Sequence, residues 1–571
     1  MKAKRYGSAH VAAALQEMAR LTALAGETLF RSRAYARGAE VLQRLDDDAL
    51  AALVAESRLT ELRGVGPALA AMITELHQTG ACRALEQLNE RLPAGAGELS
   101  RLSSLGLAKI AALNRTLGVT SVAELRAACE TGRVRTVKGM GEKTERRLLE
   151  QIRALDEPRQ TRVLLPDALA VAEPLLAHLR AAPGVTQADY AGDLRRATET
   201  VESLVVVLGS TRPAAALARA LASPLIAAAG ARGRDSARAT LATGLGLELR
   251  VVPPERYAAA LLDATGAPAH VAHLRRLAEA RGLRLDEAGF ATEAEIYRRL
   301  GLAYVPPELR EEAGEIEAAA DGSLPADLVR MEDVQGAVHC HTVYSDGRHS
   351  VAQMARAAEA RGLRYLTITD HSPTASYAGG LSVDRLEAQW EEIARVQETV
   401  SVRLLRGTES DILADGGLDY PDSVLERLDI VIASVHARHR MGAEEMTRRI
   451  ARAMAHPCFK VWGHALGRLV LSRPPIDCRV EEILDVVAAS RAAVEINGDP
   501  NRLDLPPRWI RAARERGIPF VISTDAHATD ELANLRYGVA MARRGWVRRG
   551  EVLNTRGPEA FARAVAPGAR R

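Results

Sequence analysis

Apolar positions recur at helical spacing through the first part of the chain. Leu15, Met18, Leu21, Leu24 and Leu29 form one series, and Val41, Leu42, Leu45 and Leu50 another. This periodicity predicts helices across residues 8–80. A helical pattern returns over 95–155, broken by short glycine turns. Past residue 160 the pattern changes. Thr200–Leu208 and Leu245–Val252 are β-branched and leucine runs that predict strands. Over 165–230 such runs alternate with Ala/Leu-rich helices, and 255–300 reads as helix again. Residues 304–335 hold Pro306-Pro307, an acidic stretch and Asp321-Gly322-Ser323, which is linker composition. Beyond 335 a strand–loop–helix rhythm sets in. Apolar runs at 336–340, 364–369, 403–408, 429–435, 459–463, 492–497 and 518–523 predict seven parallel strands and hence a barrel.

Composition narrows the class. A chain of 571 residues, 47% hydrophobic and 26% charged, is globular rather than disordered or fibrous. At roughly 100–200 residues per domain it holds several domains. No uncharged run of about 18 apolar residues occurs, so no membrane span or membrane partner is expected. Met1-Lys2-Ala3-Lys4-Arg5 has no apolar core behind it, so no secretory signal is expected. Five cysteines (82, 129, 340, 458 and 478) without a CxxC pair fit a reducing cytoplasm. The net charge of +3 conceals a division. Residues 1–150 carry 22 Lys and Arg against 17 Asp and Glu, which suits a nucleic-acid-binding module. Nine of the 14 histidines fall in residues 331–571, which points to metal chemistry there.

Three short turns stand out in the basic part: Arg63-Gly64-Val65-Gly66-Pro67, Ser104-Leu105-Gly106-Leu107 and Lys138-Gly139-Met140-Gly141-Glu142-Lys143. Each lies between helices, in the helix-hairpin-helix pattern. Glycine allows the tight turn, and the N–H groups opening the second helix can face one phosphate. Gly64, Gly66, Gly106, Gly139, Gly141 and Lys143 are therefore candidate DNA contacts, reading backbone charge rather than base sequence. The middle turn is worn, with Ser104 where a glycine is expected.

With these turns, Phe30-Arg31-Ser32-Arg33-Ala34-Tyr35-Ala36-Arg37-Gly38-Ala39 resembles the start of bacterial and archaeal family X DNA polymerases that end in a PHP (polymerase and histidinol phosphatase) domain. The resemblance implies a multidomain α+β and α/β protein. Its parts would be a DNA-end-binding helical domain (1–90), helix-hairpin-helix fingers (91–158), a nucleotidyltransferase-like palm (159–245), a thumb (246–315), a linker (316–334) and a (β/α)7 distorted TIM-like PHP barrel (335–571).

The palm departs from the family pattern. Nucleotidyl transfer needs two metal ions clamped by carboxylates. The family resembles Gly-Ser-x-Arg-Arg, then Glu-Thr-Val-Gly-Asp-x-Asp. This chain has Gly192-Asp193-Leu194-Arg195-Arg196, then Glu199-Thr200-Val201-Glu202-Ser203-Leu204-Val205. Ser203 and Val205 cannot bind a hard cation as carboxylates do. The third carboxylate position falls at Glu248, and Asp193 would repel a triphosphate. Asp263-Ala264 stand where the family has Tyr-Phe. A polymerase site that has degenerated is expected.

The strongest signal lies in the last third. His339-Cys340-His341 places two imidazoles on one side of a strand. Asp346, His371, Glu409, His436, His464, Asp525 and His527 follow at or just beyond further strand ends, the rim where barrel active sites form. So many mixed ligands suit a two- or three-metal centre that activates water and neutralises phosphate. This set resembles the PHP superfamily with all nine ligand positions filled. The resemblance implies that Glu409 bridges two ions, that Asp346, His371 and His464 serve mainly a third, and that Glu409, His436 and Asp525 carry catalysis. It favours Mn²⁺, with Zn²⁺ or Fe²⁺ also suited. Arg438 and Arg440 are candidate phosphate contacts, and Asp370 a support for His371 or its neighbours.

The leading expectation is a metal-dependent 3′–5′ exonuclease or 3′-end-processing nuclease of DNA repair. Its partner would be DNA ends, gaps or single strands, bound without sequence specificity, and no obligate protein partner is evident. The alternatives are an active repair polymerase with proofreading and a small-molecule phosphatase of the histidinol-phosphate kind.

Overall fold

The computed structural model describes residues 6–25, 29–42, 47–62, 65–100, 102, 104–156, 162–285 and 289–568. Gly64 of the first glycine turn lies outside them. The chain divides into two units, Met1–Gln160 and Thr161–Arg571.

Among the described residues, the first unit is built of helices and the turns between them. Leu15, Met18, Leu42, Leu50 and Ile73 meet in one apolar cluster, and Ile110, Leu113, Leu125 and Leu148 in another. Gly66 caps the helix Pro67–Thr79, with proline in its first turn, and Gly106 caps Leu107–Leu117. Gly141 immediately precedes Glu142–Asp156. A Cβ added at Gly66, Gly106, Gly139 or Gly141 would meet nothing within 4 Å. Internal packing therefore leaves these turns open to close approach from outside. Gly139 alone needs its glycine for conformation, at φ 85°. Lys143 is exposed beside Gly141.

The second unit contains fourteen described strands. β1 (Val163–Leu164) pairs with β3 (Thr200–Val201). A five-stranded sheet comprises β2 (Val185–Ala191), β4 (Ser203–Ser210), β5 (Ile226–Arg232), β6 (Ser236–Leu241) and β7 (Gly246–Val252), in the order β2-β4-β7-β6-β5. β7 runs parallel to β4, with Val205 opposite Glu248. Gly246–Val252 is thus the middle strand of this sheet. The boundary expected at 245 would part it from Ser203–Ser210, because strand pairing here joins segments forty residues apart that no local pattern connects.

The barrel is built from β8 (Gly336–Cys340), β9 (Tyr365–Ile368), β10 (Arg403–Asp411), β11 (Ile430–Ser434), β12 (Lys460–Trp462), β13 (Ala492–Asn497) and β14 (Phe520–Ser523). They are parallel and neighbour one another in chain order. The Ala526 N–H donates to the His339 carbonyl at 3.1 Å and the His341 N–H to the Ala526 carbonyl at 2.8 Å, so the ends of β14 and β8 meet. Every residue of β8, β9, β11, β13 and β14 is buried, as expected for parallel strands covered on both faces. Helices such as Val351–Ala360 and Val383–Gln397, each opened by a capping serine, follow the strands. The helix Pro558–Val565 inserts Phe561 beneath the site, stacked on Tyr365 with ring centres 4.7 Å apart.

The segment expected as a linker over 316–334 is packed instead. It contains the end of the helix Glu315–Asp321, with Ile316, Ala318, Ala319, Leu328 and Val329 buried. The Val329 N–H donates to the Val547 carbonyl at 3.0 Å. Those five apolar residues turn inward while Met331 stays exposed, a division that the segment's acidic and Gly/Pro composition hides. Among the described residues no helix is long and apolar enough to cross a membrane.

Candidate metal centre

All nine ligand candidates converge at the C-terminal ends of the barrel strands. Glu409, on β10, is the hub. Its Oε1 lies 2.7 Å from His464 Nε2, 3.1 Å from His436 Nε2 and 3.3 Å from His339 Nε2. Its Oε2 lies 3.0 Å from His371 Nδ1 and 3.6 Å from His341 Nε2. Asp525 Oδ1 is 3.3 Å from His341 Nε2 and 3.6 Å from His339 Nε2. Asp346 Oδ1 is 3.3 Å from His527 Nε2 and 3.6 Å from His371 Nε2. His339 does not follow a regular pleat. Its φ is 63°, and the β8–β9 register shifts between Ala337 and Cys340. A bulge therefore aims the two imidazoles together, ring centres 5.2 Å apart. His464 and Asp525 also have positive φ, 23° and 49°. Three ligands thus occupy backbone conformations that non-glycine residues rarely adopt, as strained functional sites do.

Within this centre, four groups of donor atoms lie close enough to share an ion: His341, Asp346, His371 and His527; His339, His341 and Glu409; His339, His464 and Asp525; and His371, Glu409 and His436. Glu409 belongs to two of them, which fits a bridging carboxylate. His464 groups with His339 and Asp525, not with Asp346 and His371 as the resemblance implied, because β12 ends on the far side of Glu409.

The residues fit divalent ions on two counts. His339 Nε2, both ring nitrogens of His341, His371 Nδ1 and Glu409 Oε2 are buried without a hydrogen-bond partner. Such orphans are costly unless something binds them. The donors are also the mixed imidazole and carboxylate kind that transition ions take. The electrostatics agree. Burial raises the Glu409 carboxyl, but His436, His339, His371 and His464 outweigh it and hold the group well below the usual range. Asp525 is held low against burial by His339, His341 and Arg502. Burial works against His436 too, yet Glu409 and Asp411 push it up to about 10. His527 is pushed up to about 9 against burial by Asp346 and Asp525. Burial and the neighbouring His527 and His371 drop His341 to about 3.

Three supporting groups escaped the sequence reading. Glu495, fully buried on β13, takes His339 Nδ1 at 2.5 Å and also accepts the His464 backbone N–H. Its signal was an acidic residue inside the apolar run Ala493-Val494-Glu495-Ile496. Asp411 Oδ1 takes His436 Nδ1 at 3.1 Å. Arg502 Nε lies 3.0 Å from Asp525 Oδ2. Asp370, expected to support His371 or its neighbours, holds the Thr342–Ser345 loop beside Asp346: it accepts the Thr342 N–H at 2.8 Å and the Gln389 amide at 2.6 Å. Arg438 and Arg440 are exposed.

In the five-stranded sheet, Ser203 and Val205 lie on β4, opposite Gly246 and Glu248. Asp193 pairs with Arg162 and Arg196, Glu202 with Arg162, and Glu248 with Arg250. Among the described residues, no metal-binding group forms there.

Comparison with known proteins agrees with this organisation. A helix-hairpin-helix domain family matches residues 7–82, a SAM-like helix-hairpin-helix tandem 96–154, the DNA polymerase beta thumb 260–311 and the PHP domain 337–499. The chain is 32% identical over 556 residues to the DNA polymerase/3′-5′ exonuclease PolX of Bacillus subtilis strain 168, covering 95% of this chain and 96% of that protein. This chain belongs to the PolX family. The PolX helix-hairpin-helix and thumb modules indicate DNA binding, and its barrel is a PHP domain. That barrel is also 28% identical over 229 residues to a probable phosphatase of Thermoanaerobacter sp. strain X514, covering 38% of this chain and 89% of that protein. A probable phosphatase of Aliivibrio fischeri strain ES114 is 26% identical over 234 residues, 38% of this chain and 88% of its own.

Proposed function

We propose that this chain is a 3′–5′ exonuclease or 3′-end-processing nuclease of DNA repair that works through two or three divalent ions in the PHP barrel. The convergence of nine ligand side chains, five of them histidines set around Glu409, carries the reading, and the 3′-5′ exonuclease activity of the Bacillus relative's name supports it. Mn²⁺ is the ion we favour, with Zn²⁺ and Fe²⁺ as alternatives. Bound ions would activate water and neutralise the scissile phosphate. The chain's own residues do the rest. Glu409 and Asp525 offer negative charge at the centre, and Glu495 and Asp411 turn the Nε2 atoms of His339 and His436 inward. The glycine turns with Lys143 would grip the DNA backbone. Five free cysteines accord with a reducing cytoplasm.

We further infer that nucleotidyl transfer is lost. Ser203 and Val205 occupy the carboxylate positions, and the acidic residues left nearby are neutralised by Arg162, Arg196 and Arg250. The domain limits that suit this reading are a palm through Val252, then a thumb running into the packed 316–334 segment.

The deciding assay offers end-labelled single-stranded and gapped DNA with Mn²⁺, alongside histidinol phosphate. Shortening of DNA that vanishes in His339→Ala and Asp525→Ala is the expected result. Cleavage of histidinol phosphate with DNA left intact would favour the phosphatase reading, to which the names of the barrel relatives lend weight. The word polymerase in the Bacillus name favours a second reading, and primer extension tests it: robust incorporation abolished by Glu248→Ala would overturn the loss.

A further inference from the structure

Among the described residues, five large apolar side chains stand exposed. The three most exposed are Tyr377 (70%), Leu471 (61%) and Val343 (55%). Each lies on a loop leaving a ligand-bearing strand: Val343 follows His341, Tyr377 follows His371 and Leu471 follows His464. Exposed apolar surface on loops that leave a polar metal centre calls for a ligand with both characters.

Tyr377 is the best defined of the three. Its ring centre lies 6.2 Å from that of His371 and 6.3 Å from that of His436. The turn beneath it is fixed. Arg385 donates to the carbonyls of Gly379 and Gly380 at 2.7 and 3.2 Å. Thr374 is tied to Asp419 through its N–H at 2.7 Å and its hydroxyl at 2.6 Å. Ala375 and Ala378 are buried. A side chain left in water on an anchored turn is presented, not merely unpacked.

Two arginines stand near the same mouth. Arg502 pairs with Asp525 and Asp499, while Arg473 Nε is buried without a hydrogen-bond partner. The two guanidinium charges act on each other. An unsatisfied donor beside a second cation suits a phosphate.

We propose that Tyr377 is a platform for the unstacked 3′-terminal base of a single strand, whose phosphate faces Arg473 and Arg502. This rests on the proposed hydrolysis of DNA 3′ ends and names its substrate: a terminus whose last base has left the helix stack. A ring in this position reads π-surface, so it accepts any base.

The test compares a single strand ending in an ordinary nucleotide with the same strand ending in a reduced abasic residue. The native protein prefers the base-bearing end in kcat/KM by about tenfold, the scale of one base–aromatic stack. Tyr377→Ala collapses that ratio towards one, mainly through KM, and Tyr377→Trp restores it. A native ratio of one, or a ratio that survives Tyr377→Ala, overturns the proposal. If neither strand is shortened, the hydrolytic reading fails and a binding measurement decides the platform separately. In His339→Ala protein, the fluorescence of a 3′-terminal 2-aminopurine changes on binding. Adding Tyr377→Ala abolishes that change, whereas an internal reporter responds alike in both. An identical terminal response in both proteins overturns the proposal.

Discussion

Glu495, buried on β13, faces His339 Nδ1 at 2.5 Å and leaves the other ring nitrogen turned toward Glu409 and Asp525. Carboxylates in this place fix the tautomer and raise the basicity of a ligating imidazole. Glu495→Gln is expected to weaken metal binding about 10–100-fold. Competition against a fluorescent chelator measures it, and native-like affinity would deny Glu495 this role.

Metal binding should release protons. Without ions, Glu409 and Asp411 push His436 up to about 10, and Asp346 and Asp525 push His527 up to about 9, each against the effect of burial. Both rings therefore carry a proton at neutral pH that a metal must displace. Apparent Mn²⁺ affinity rises from pH 6.5 to pH 8, and calorimetric heats vary with the ionisation enthalpy of the buffer. In the metal-free protein the sign is opposite. The stability His436 contributes is fully present below its ordinary value of 6.5 and is lost as pH climbs through about 10. Affinity and heats that ignore pH and buffer would contradict this.

Gly347 has no room for a side chain. An added Cβ would lie 2.6 Å from both the His341 carbonyl carbon and the Thr342 nitrogen. Gly347→Ala must push away the loop bearing Asp346. The group of His341, Asp346, His371 and His527 should then fail while the other ligands keep theirs. Metal analysis of the purified variant is expected to show about one ion per chain fewer than the native protein. A full complement would mean that the loop relaxes harmlessly.

Glu293 sits between Arg310 and Arg195, at 2.6 and 2.7 Å, with the Arg310 side chain wholly buried. Removing the carboxylate strands two guanidinium groups away from water. Glu293→Ala is expected to cost about 3–5 kcal/mol. Urea unfolding of the full chain reads it, and a loss well below 1 kcal/mol would show that water or another carboxylate takes over.

The barrel was legible because its strands are buried on both faces and so appear as continuous apolar runs. All seven lie where those runs are, and six of them carry candidate His, Asp or Glu ligands at or just beyond their ends, at spacings a linear reading can see. Glu495 and Asp411 were harder, since each supports a histidine supplied by another strand and has no motif of its own. The place of Gly246–Val252 in the middle of the five-stranded sheet was likewise invisible, because pairing with Ser203–Ser210 is a non-local fact. Residues 316–334 misled through composition: a few inward apolar residues decide packing, and averages dilute them. Tyr377 drew no notice because exposure is a property of the fold and not of the letter.

The packed 316–334 segment also dictates how this protein can be taken apart. A fragment starting at residue 335 would strip Leu328 and Val329 from the barrel and leave the Val547 carbonyl without its partner. Such a truncation exposes fresh apolar surface and invites clumping, so a dead or insoluble barrel prepared that way says nothing about the intact protein. The informative cut is between Gln160 and Thr161, where one unit ends and the next begins.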